Sequence, residues 1–109
     1  MAQFDVHANK GALREAIPFV VIVQSSLFDD YRRRIVVPLV RKDTAGGRPS
    51  ALRARLNPVF KVRNTEVVLH PLDMVSVSSD QLGPRVGSLA GHGQAITDAL
   101  DEVLTRSWG

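Results

Sequence analysis

The chain has 109 residues, of which 44% are hydrophobic and 23% charged, and its formal net charge is +3. A chain of this length is expected to form one domain, residues 1–109, with a modest core, and its composition excludes wholesale disorder. Cysteine is absent, which excludes disulfides and thiolate metal sites. No secretion signal and no apolar run of membrane-spanning length is recognisable, so we expect a cytoplasmic protein that does not enter a membrane.

Three strands are predicted in the N-terminal part of the chain. Residues 3–7 alternate apolar and polar side chains, the period-two pattern of a half-buried strand. Residues 18–24 are a continuous β-branched run that begins with proline, which is typical of a core strand. Residues 33–40 form a third strand. Pro38 lies inside it and predicts an edge strand or a bulge, because proline cannot donate a hydrogen bond to a neighbouring strand.

The middle of the chain contains a loop followed by a predicted hairpin. Residues 44–55 are a polar connection rich in glycine and arginine, with room for one short helical turn. Residues 58–62 and 66–70 have the composition of two strands. Asn64 lies between them, at a position that tolerates positive φ, which favours a tight hairpin turn.

The hydrophobic period changes from strand-like to helical towards the C-terminus. Residues 74–77 predict a further short strand, and residues 81–87, which contain Gly-Pro, predict a turn. From about Gly91 the apolar positions repeat every 3.6 residues, which predicts an amphipathic helix. Its apolar stripe consists of Ile96, Leu100, Val103, Leu104 and Trp108. The expected fold class is mostly β with a C-terminal α-helix.

Positive charge is concentrated in the middle third of the chain. Ten of the fourteen lysines and arginines lie between Arg32 and Arg63, where Asp43 is the only acid. Such a block can attract nucleic acid or an acidic protein segment over a long range. A solvated edge and loop region would have the same composition, so the charge alone leaves the partner open.

The side chains that usually carry chemistry form no recognisable catalytic or metal-binding motif. The three histidines are far apart and lack partners at metal-ligand spacing, so neither a metal nor a cofactor is expected. Residues 46–48 and 91–93 are glycine-rich but lack the rest of a phosphate-binding motif. Asp29 and Asp30 are more typical of a turn than of an acid/base pair. The chain therefore has the character of a binding protein.

Short segments in a fixed order carry a family resemblance over roughly residues 3–109. They are Gln3-Phe4, Val23-Gln24-Ser25, Arg33-Arg34-Ile35-Val36-Val37-Pro38-Leu39, Leu56-Asn57-Pro58-Val59, Asp73-Met74, Ser76-Val77 and Trp108-Gly109. In this order and spacing they resemble the CcdB family of toxins. The longest of them is similar to that family's Arg-Arg-Met-Val-Ile-Pro-Leu segment.

The resemblance implies both a fold and a function. The fold would be an SH3-like barrel or strongly twisted antiparallel sheet of the CcdB/PemK type, assembled as a homodimer. The function would be that of a type II toxin, not an enzyme, that binds the A subunit of DNA gyrase and traps the gyrase–DNA cleavage complex. A CcdA-like antitoxin tail would neutralise it, and no direct contact with nucleic acid would be needed.

The resemblance also implies roles for particular residues. Trp108 would stack on an arginine of gyrase, and Gly109 would make the neighbouring contact. Trp108 follows the family pattern about one turn late, and the family's terminal isoleucine has no counterpart after Gly109. Taken without the family, Trp108 would complete the apolar stripe of the helix. The acidic antitoxin tail is expected to contact the basic block, with the candidate residues Arg32, Arg33, Arg34, Arg53 and Arg55.

Two alternatives remain open at the level of sequence. The first is a homologue that has lost or changed its target and acts only as a dimeric binding module. The second is an endoribonuclease toxin of the MazF or PemK type, which shares the barrel fold. Those enzymes begin with Gly-Asp-Ile/Val-Trp where this chain has Gln3-Phe4-Asp5-Val6, and their Pro-Val order is reversed at Val37-Pro38.

Overall fold

The computed structural model describes residues 2–45 and 51–105, without the side chains of residues 44, 45 and 51–53. The strands are β1 (Asp5–Asn9), β2 (Phe19–Ile22), β3 (Arg33–Arg41), β4 (Val59–Val62), β5 (Thr65–Leu69), β6 (Val75–Ser78) and β7 (Leu82–Ser88). The helices are α1 (Lys42–Ala45), α2 (Ala51–Leu56) and α3 (Gly93–Leu104). The two short helices overlap the predicted polar connection, residues 44–55, which had room for one helical turn.

The strands form one antiparallel sheet in the order β4-β5-β3-β2-β1-β7. Strand β3 is long enough, at 9 residues, to have two partners on one side. Its first half pairs with β6, between Arg33 and Val36, and its second half pairs with β5, between Leu39 and Arg41. The predicted fold class, mostly β with a C-terminal helix, is confirmed.

The prediction that Pro38 marks an edge strand or a bulge is wrong. Pro38 is buried in β3, between β2 on one side and β5 and β6 on the other. The carbonyl of Pro38 accepts a hydrogen bond from the His70 amide at 3.1 Å, just beyond the end of β5. Its ring nitrogen therefore faces the point where β5 gives way to β6, and the missing N–H removes no ladder hydrogen bond there.

The turn predicted at residues 81–87 is also wrong, because this segment is strand β7. Asn9 of β1 pairs with Leu82 and His7 pairs with Arg85, so two residues of β1 span three of β7. This register shift is a bulge that contains the Gly-Pro dipeptide, and a bulge on a terminal strand tolerates a proline. The imidazole of His7 completes the bulge, since its Nδ1 lies 2.9 Å from the Gly83 carbonyl oxygen.

The predicted hairpin between β4 and β5 is confirmed, and it helps to close the curled sheet. Arg63 and Asn64 have φ values of 48° and 65°, which suit a two-residue turn in which both central residues are left-handed. The Arg63 Nε donates to the Val86 carbonyl oxygen at 3.3 Å. The β4–β5 hairpin at one end of the sheet thereby contacts β7 at the other end, so the sheet curls into an open half-barrel.

Helix α3 packs on one face of the sheet and completes the core. Ile96 and Ala99 are fully buried against strand residues. The strand contribution is Val6, Val21, Val23, Val37, Leu39, Phe60, Val62, Val67 and Leu69. The predicted apolar stripe is only partly correct, because Leu104 is 61% exposed. The buried positions of α3 are Ile96 and Ala99, three residues apart on one face, while Trp108 lies outside the described residues.

Candidate protein-binding site

The segment between β2 and β3 carries three large apolar side chains on its surface. Leu27 is 86% exposed, Tyr31 62% and Phe28 43%. Apolar and aromatic side chains clustered in this way are characteristic of surfaces that bind other proteins. We refer to residues 25–31 as the docking loop.

The docking loop has a defined conformation although its side chains are exposed. The Ser25 Oγ accepts a hydrogen bond from the Leu27 amide at 3.3 Å and caps a single 3-10 turn at Ser26–Phe28. The Tyr31 amide donates to the Phe28 carbonyl oxygen at 3.0 Å. The rings of Phe28 and Tyr31 meet edge to face, with their centroids 5.5 Å apart.

Arg34 lies beneath this loop and is 5% exposed. Its Nη1 donates to the Phe28 carbonyl oxygen at 2.7 Å and to the Gln24 Oε1 at 3.3 Å. Its Nη2 donates to the Asp29 carbonyl oxygen. Arg34 was predicted to contact the antitoxin, but a buried guanidinium that is already bonded to backbone carbonyls cannot present its charge to a partner. We therefore remove Arg34 from that predicted surface.

Arg32 and Arg33 are exposed and lie across the neighbouring strand β6. The Arg33 guanidinium donates to Ser76 twice, to its Oγ at 3.1 Å and to its carbonyl oxygen at 2.7 Å. The Arg32 Nη2 lies 3.5 Å from the Ser78 Oγ. The Arg33 contacts go only to neutral groups of Ser76, so its charge is available to an acidic partner. The charge of Arg32 also acts on the Asp80 carboxylate, whose pKa is lowered first by a hydrogen bond with Ser78 and further by Arg32.

The remaining two candidate arginines precede β4. The Arg55 Nε donates to the Glu102 Oε1 at 3.0 Å, which joins α2 to α3. Arg55 is thus engaged in an intramolecular ion pair, although its side chain stays more than half exposed. The side chain of Arg53 lies outside the described residues. The five predicted arginines therefore do not form one uniform surface.

The predicted gyrase contacts, Trp108 and Gly109, lie outside the described residues. Helix α3 ends at Leu104, and the Thr105 amide donates to the Asp101 carbonyl oxygen at 2.9 Å. The role of these two residues therefore remains a prediction from the family resemblance.

The docking loop was not recognised from the sequence. Its signal was present, because Leu27, Phe28 and Tyr31 interrupt an otherwise polar segment between two strands. Apolar residues in a loop are usually expected to be buried, and only the folded structure shows that these three side chains are exposed.

A polar cluster on β1 and β7 borders the sheet on another side. The Arg85 Nε lies 3.1 Å from the Asp5 Oδ1, and the Ala2 amide donates to the Asp5 Oδ2 at 3.0 Å. Burial raises the pKa of Asp5, but these hydrogen bonds and the charge of Arg85 outweigh it and hold that pKa below its ordinary value. Asp5 and Arg85 therefore form an ion pair at the edge of the sheet.

The described residues contain no metal site and no membrane-spanning helix, but they do form an apolar groove. Within residues 2–45 and 51–105, no three histidine or carboxylate side chains come together as a metal site. No helix in the described part of the chain is long and apolar enough to cross a membrane. An apolar groove of about 280 Å³ lies between residues 11–17 and β6, lined by aliphatic side chains such as Val20, Val36 and Val77.

The curled sheet, the C-terminal helix and the exposed docking loop define a small β-barrel-like domain with an apolar loop on its surface. The CcdB protein family model matches residues 3–106, and the chain belongs to the CcdB family. This membership places it among the toxins of toxin–antitoxin systems.

Solved structures with the same fold support the architecture. The Mycobacterium tuberculosis toxin MazF-mt6 aligns with a TM-score of 0.71 at 16% identity, covering 95% of this chain and 99% of that one. A mycobacterial endoribonuclease in complex with its cognate antitoxin aligns with a TM-score of 0.72 at 15% identity, covering 100% and 99%. No curated protein sequence matches the chain. At these identities the likeness establishes the fold, and the predicted CcdB/PemK-like architecture is confirmed.

Proposed function

We propose that this protein binds the A subunit of DNA gyrase and traps the gyrase–DNA cleavage complex. Membership of the CcdB family over residues 3–106 carries the proposal, because this is the target that the family resemblance implies. The exposed docking loop supports it, because stable binding to a large protein requires apolar side chains that are free in the unbound state. In this proposal the protein is an inhibitor in the cytoplasm and catalyses no reaction.

The proposed contact has an aromatic component at the C-terminus. Trp108 stacks on an arginine of gyrase, and Gly109 lies next to it in the contact. A cation–π interaction of this kind contributes about 0.5–2 kcal/mol. Leu27, Phe28 and Tyr31 increase the apolar area of the proposed contact beyond what the indole of Trp108 supplies.

The test is a supercoiling and DNA-cleavage assay with purified gyrase across a concentration series of this protein. Accumulation of cleaved DNA is the expected result. Leu27→Ala should weaken the effect, whereas Leu72→Ala, which truncates an exposed leucine on the 3-10 turn Pro71–Asp73, should not. A folded protein that leaves gyrase unaffected would contradict the proposal and favour a homologue that acts only as a binding module.

A cognate antitoxin is the second proposed partner. Its acidic tail contacts the exposed cations of the basic block, with Arg32 and Arg33 as the main contacts, and Arg53 and Arg55 remain candidates from the sequence. The exposure of Arg32 and Arg33, and the pairing of Arg33 with neutral groups of Ser76 only, supports this assignment. The affinity for the antitoxin should fall as salt rises from low to moderate concentration, because long-range attraction is screened. An affinity independent of salt would contradict it.

We further propose that the protein is a homodimer. Among the described strands, β6 pairs only with β3, so its other edge is available, and Val75 on it is exposed. Light scattering should give about twice the chain mass of 11.9 kDa. Val75→Glu should shift the protein towards the monomer. Leu104→Glu, on an exposed leucine of helix α3 and not on a strand edge, serves as the control and should remain dimeric.

A second candidate function is metal-independent RNA cleavage. It is kept because the endoribonuclease in complex with its antitoxin has the same fold over the whole of this chain. Incubation of the purified protein with a mixed-sequence RNA and a chelator distinguishes the two candidates. Cleavage that survives the chelator and is lost on addition of the antitoxin would favour the endoribonuclease.

A further inference from the structure

Arg34 is a buried cation without a carboxylate partner. None of the ion pairs among the described residues includes Arg34. Its three hydrogen bonds all go to neutral oxygens of residues 24–29, and its Nε is buried without a partner. A buried charge is costly unless it is compensated, so an arginine at this place requires the surrounding carbonyl groups to stay where they are.

We propose that Arg34 is a positioning residue for the docking loop. Its planar guanidinium holds the carbonyl groups of Phe28 and Asp29 at once, and this fixes the end of the 3-10 turn. With the turn fixed, Leu27 and Phe28 project outward and Tyr31 meets the Phe28 ring. Arg34 thus acts on the partner only through the loop, and this role rests on the proposed binding of a protein partner there.

The chemistry of arginine explains why lysine would not serve equally well. A single ammonium group can bond one carbonyl well, but it lacks the fork that reaches two carbonyls and the Gln24 amide oxygen together. A loop that is ordered before binding loses less conformational entropy on association than a loose one. Arg34→Lys should therefore leave the sheet folded and loosen the loop.

The first test needs no partner. Hydrogen exchange of the Phe28, Asp29 and Tyr31 amides, which are bonded inside the loop, should become at least about tenfold faster in Arg34→Lys. The amide of Val21, in the buried strand β2, should keep its rate after correction for global stability. Arg63→Lys is the matched control, because the Arg63 Nε also donates to a backbone carbonyl but far from the loop. Unchanged exchange in the loop would overturn the proposal.

The second test measures binding to the gyrase A subunit. Arg34→Lys should weaken the affinity about tenfold in the wild-type background. In a Leu27→Ala, Phe28→Ala background the same substitution should have little further effect, because Arg34 acts through those side chains. Equal effects in both backgrounds would assign Arg34 a merely structural role.

A milder variant covers the case in which Arg34→Lys does not fold. Gln24→Ala removes one of the three hydrogen bonds of Arg34 and should accelerate exchange at the same loop amides to a smaller extent. If the wild-type protein does not bind gyrase, the proposed function fails, while the exchange measurements still decide whether Arg34 orders the loop.

Discussion

The ring of Phe4 lies directly against the first residue of helix α3, Gly93. A Cβ atom at Gly93 would come within 2.8 Å of the Phe4 Cε2. Phe4 has a φ of 69°, and its carbonyl oxygen accepts a hydrogen bond from the Leu89 amide at 2.8 Å, so its backbone is held in place. The close approach therefore fixes where α3 begins on the sheet.

Replacement of Gly93 by alanine should destabilise the protein. The added methyl group meets the Phe4 ring, and overpacking of this kind costs about 1–3 kcal/mol. For a domain of this size, each kcal/mol corresponds to about 4–8 °C in Tm, measured by thermal unfolding. Gly91→Ala is the control, because a Cβ there has no atom within 4 Å and should leave Tm unchanged or slightly higher. Equal Tm values for the two variants would show that the Phe4 ring can move aside without loss of stability.

Gly83→Ala should be more harmful than the same change at Gly87. A Cβ at Gly83 would lie 2.6 Å from the backbone oxygen of Ala8, whereas a Cβ at Gly87 has open space. Backbone cannot yield as a side chain can, so we expect a loss of about 3 kcal/mol at Gly83, at the upper end of overpacking costs. Urea unfolding of both variants is the measurement. A Gly83→Ala variant as stable as the wild type would show that the backbone at the β7 bulge can shift to make room for the methyl group.

Asp5 should contribute stability at neutral pH that is lost in acid. Its folded-state pKa lies below its ordinary value of 3.8, because hydrogen bonds and the charge of Arg85 outweigh the effect of burial. A depressed carboxyl pKa stabilises the fold above the unfolded pKa, and the contribution disappears as pH falls through the folded one. Arg85 is more than half exposed, so we expect only about 1 kcal/mol.

The test of this assignment compares urea unfolding of the wild type and Asp5→Asn at pH 7 and near pH 2. The variant should be less stable at pH 7 and equal to the wild type in acid. Asp30→Asn, which changes an exposed carboxylate, should match the wild type at both values. A difference that persists unchanged in acid would mean that packing, and not the charge of Asp5, is responsible.

Trp108→Ala should abolish gyrase inhibition and leave the fold and dimer intact. The reason is that stacking on an arginine needs the aromatic face, and Trp108→Phe should therefore keep part of the inhibition. Inhibition is measured by the DNA-cleavage assay and stability by thermal unfolding. A fall in stability of about 3 kcal/mol or more would instead assign Trp108 to the core.

Charge reversal at Arg32 and Arg33 should weaken antitoxin binding more than gyrase binding. The acidic tail is attracted by these exposed cations, whereas the gyrase contact relies on apolar and aromatic side chains. Isothermal titration with both partners is the measurement. Arg14→Glu, which reverses an exposed charge elsewhere, is the control. Comparable losses for the two partners would contradict this division of the surface.

Much of the fold could be predicted from local patterns, and the failures have specific causes. The hairpin at Arg63 and Asn64 was predictable, because left-handed turn residues and flanking β-branched runs act locally. The strand at residues 82–88 was missed, because Gly-Pro normally breaks a strand and a bulge opposite β1 rescues it here. Pro38 was wrongly predicted to mark an edge strand or a bulge, because the effect of its missing N–H depends on where β5 ends.

The candidate site was less predictable than the fold. Arg34 lies in the same run of charge as Arg32 and Arg33, and nothing in the sequence distinguishes a buried arginine from its exposed neighbours. Arg33 and Arg34 differ because consecutive residues of β3 face opposite sides of the sheet, and residues 24–29 fold over Arg34. Arg32 lies before β3 begins and stays outside this fold. The exposed state of Leu27 likewise depends on that fold.

By itself the sequence determined the fold class, the helix at the C-terminus and the family, because these depend on periodicity and on the order of short segments. Only the tertiary structure decided which cations are available to a partner and which apolar side chains remain outside. Both outcomes depend on contacts between distant segments, such as the carbonyl groups of residues 28 and 29 around Arg34, which local patterns do not encode.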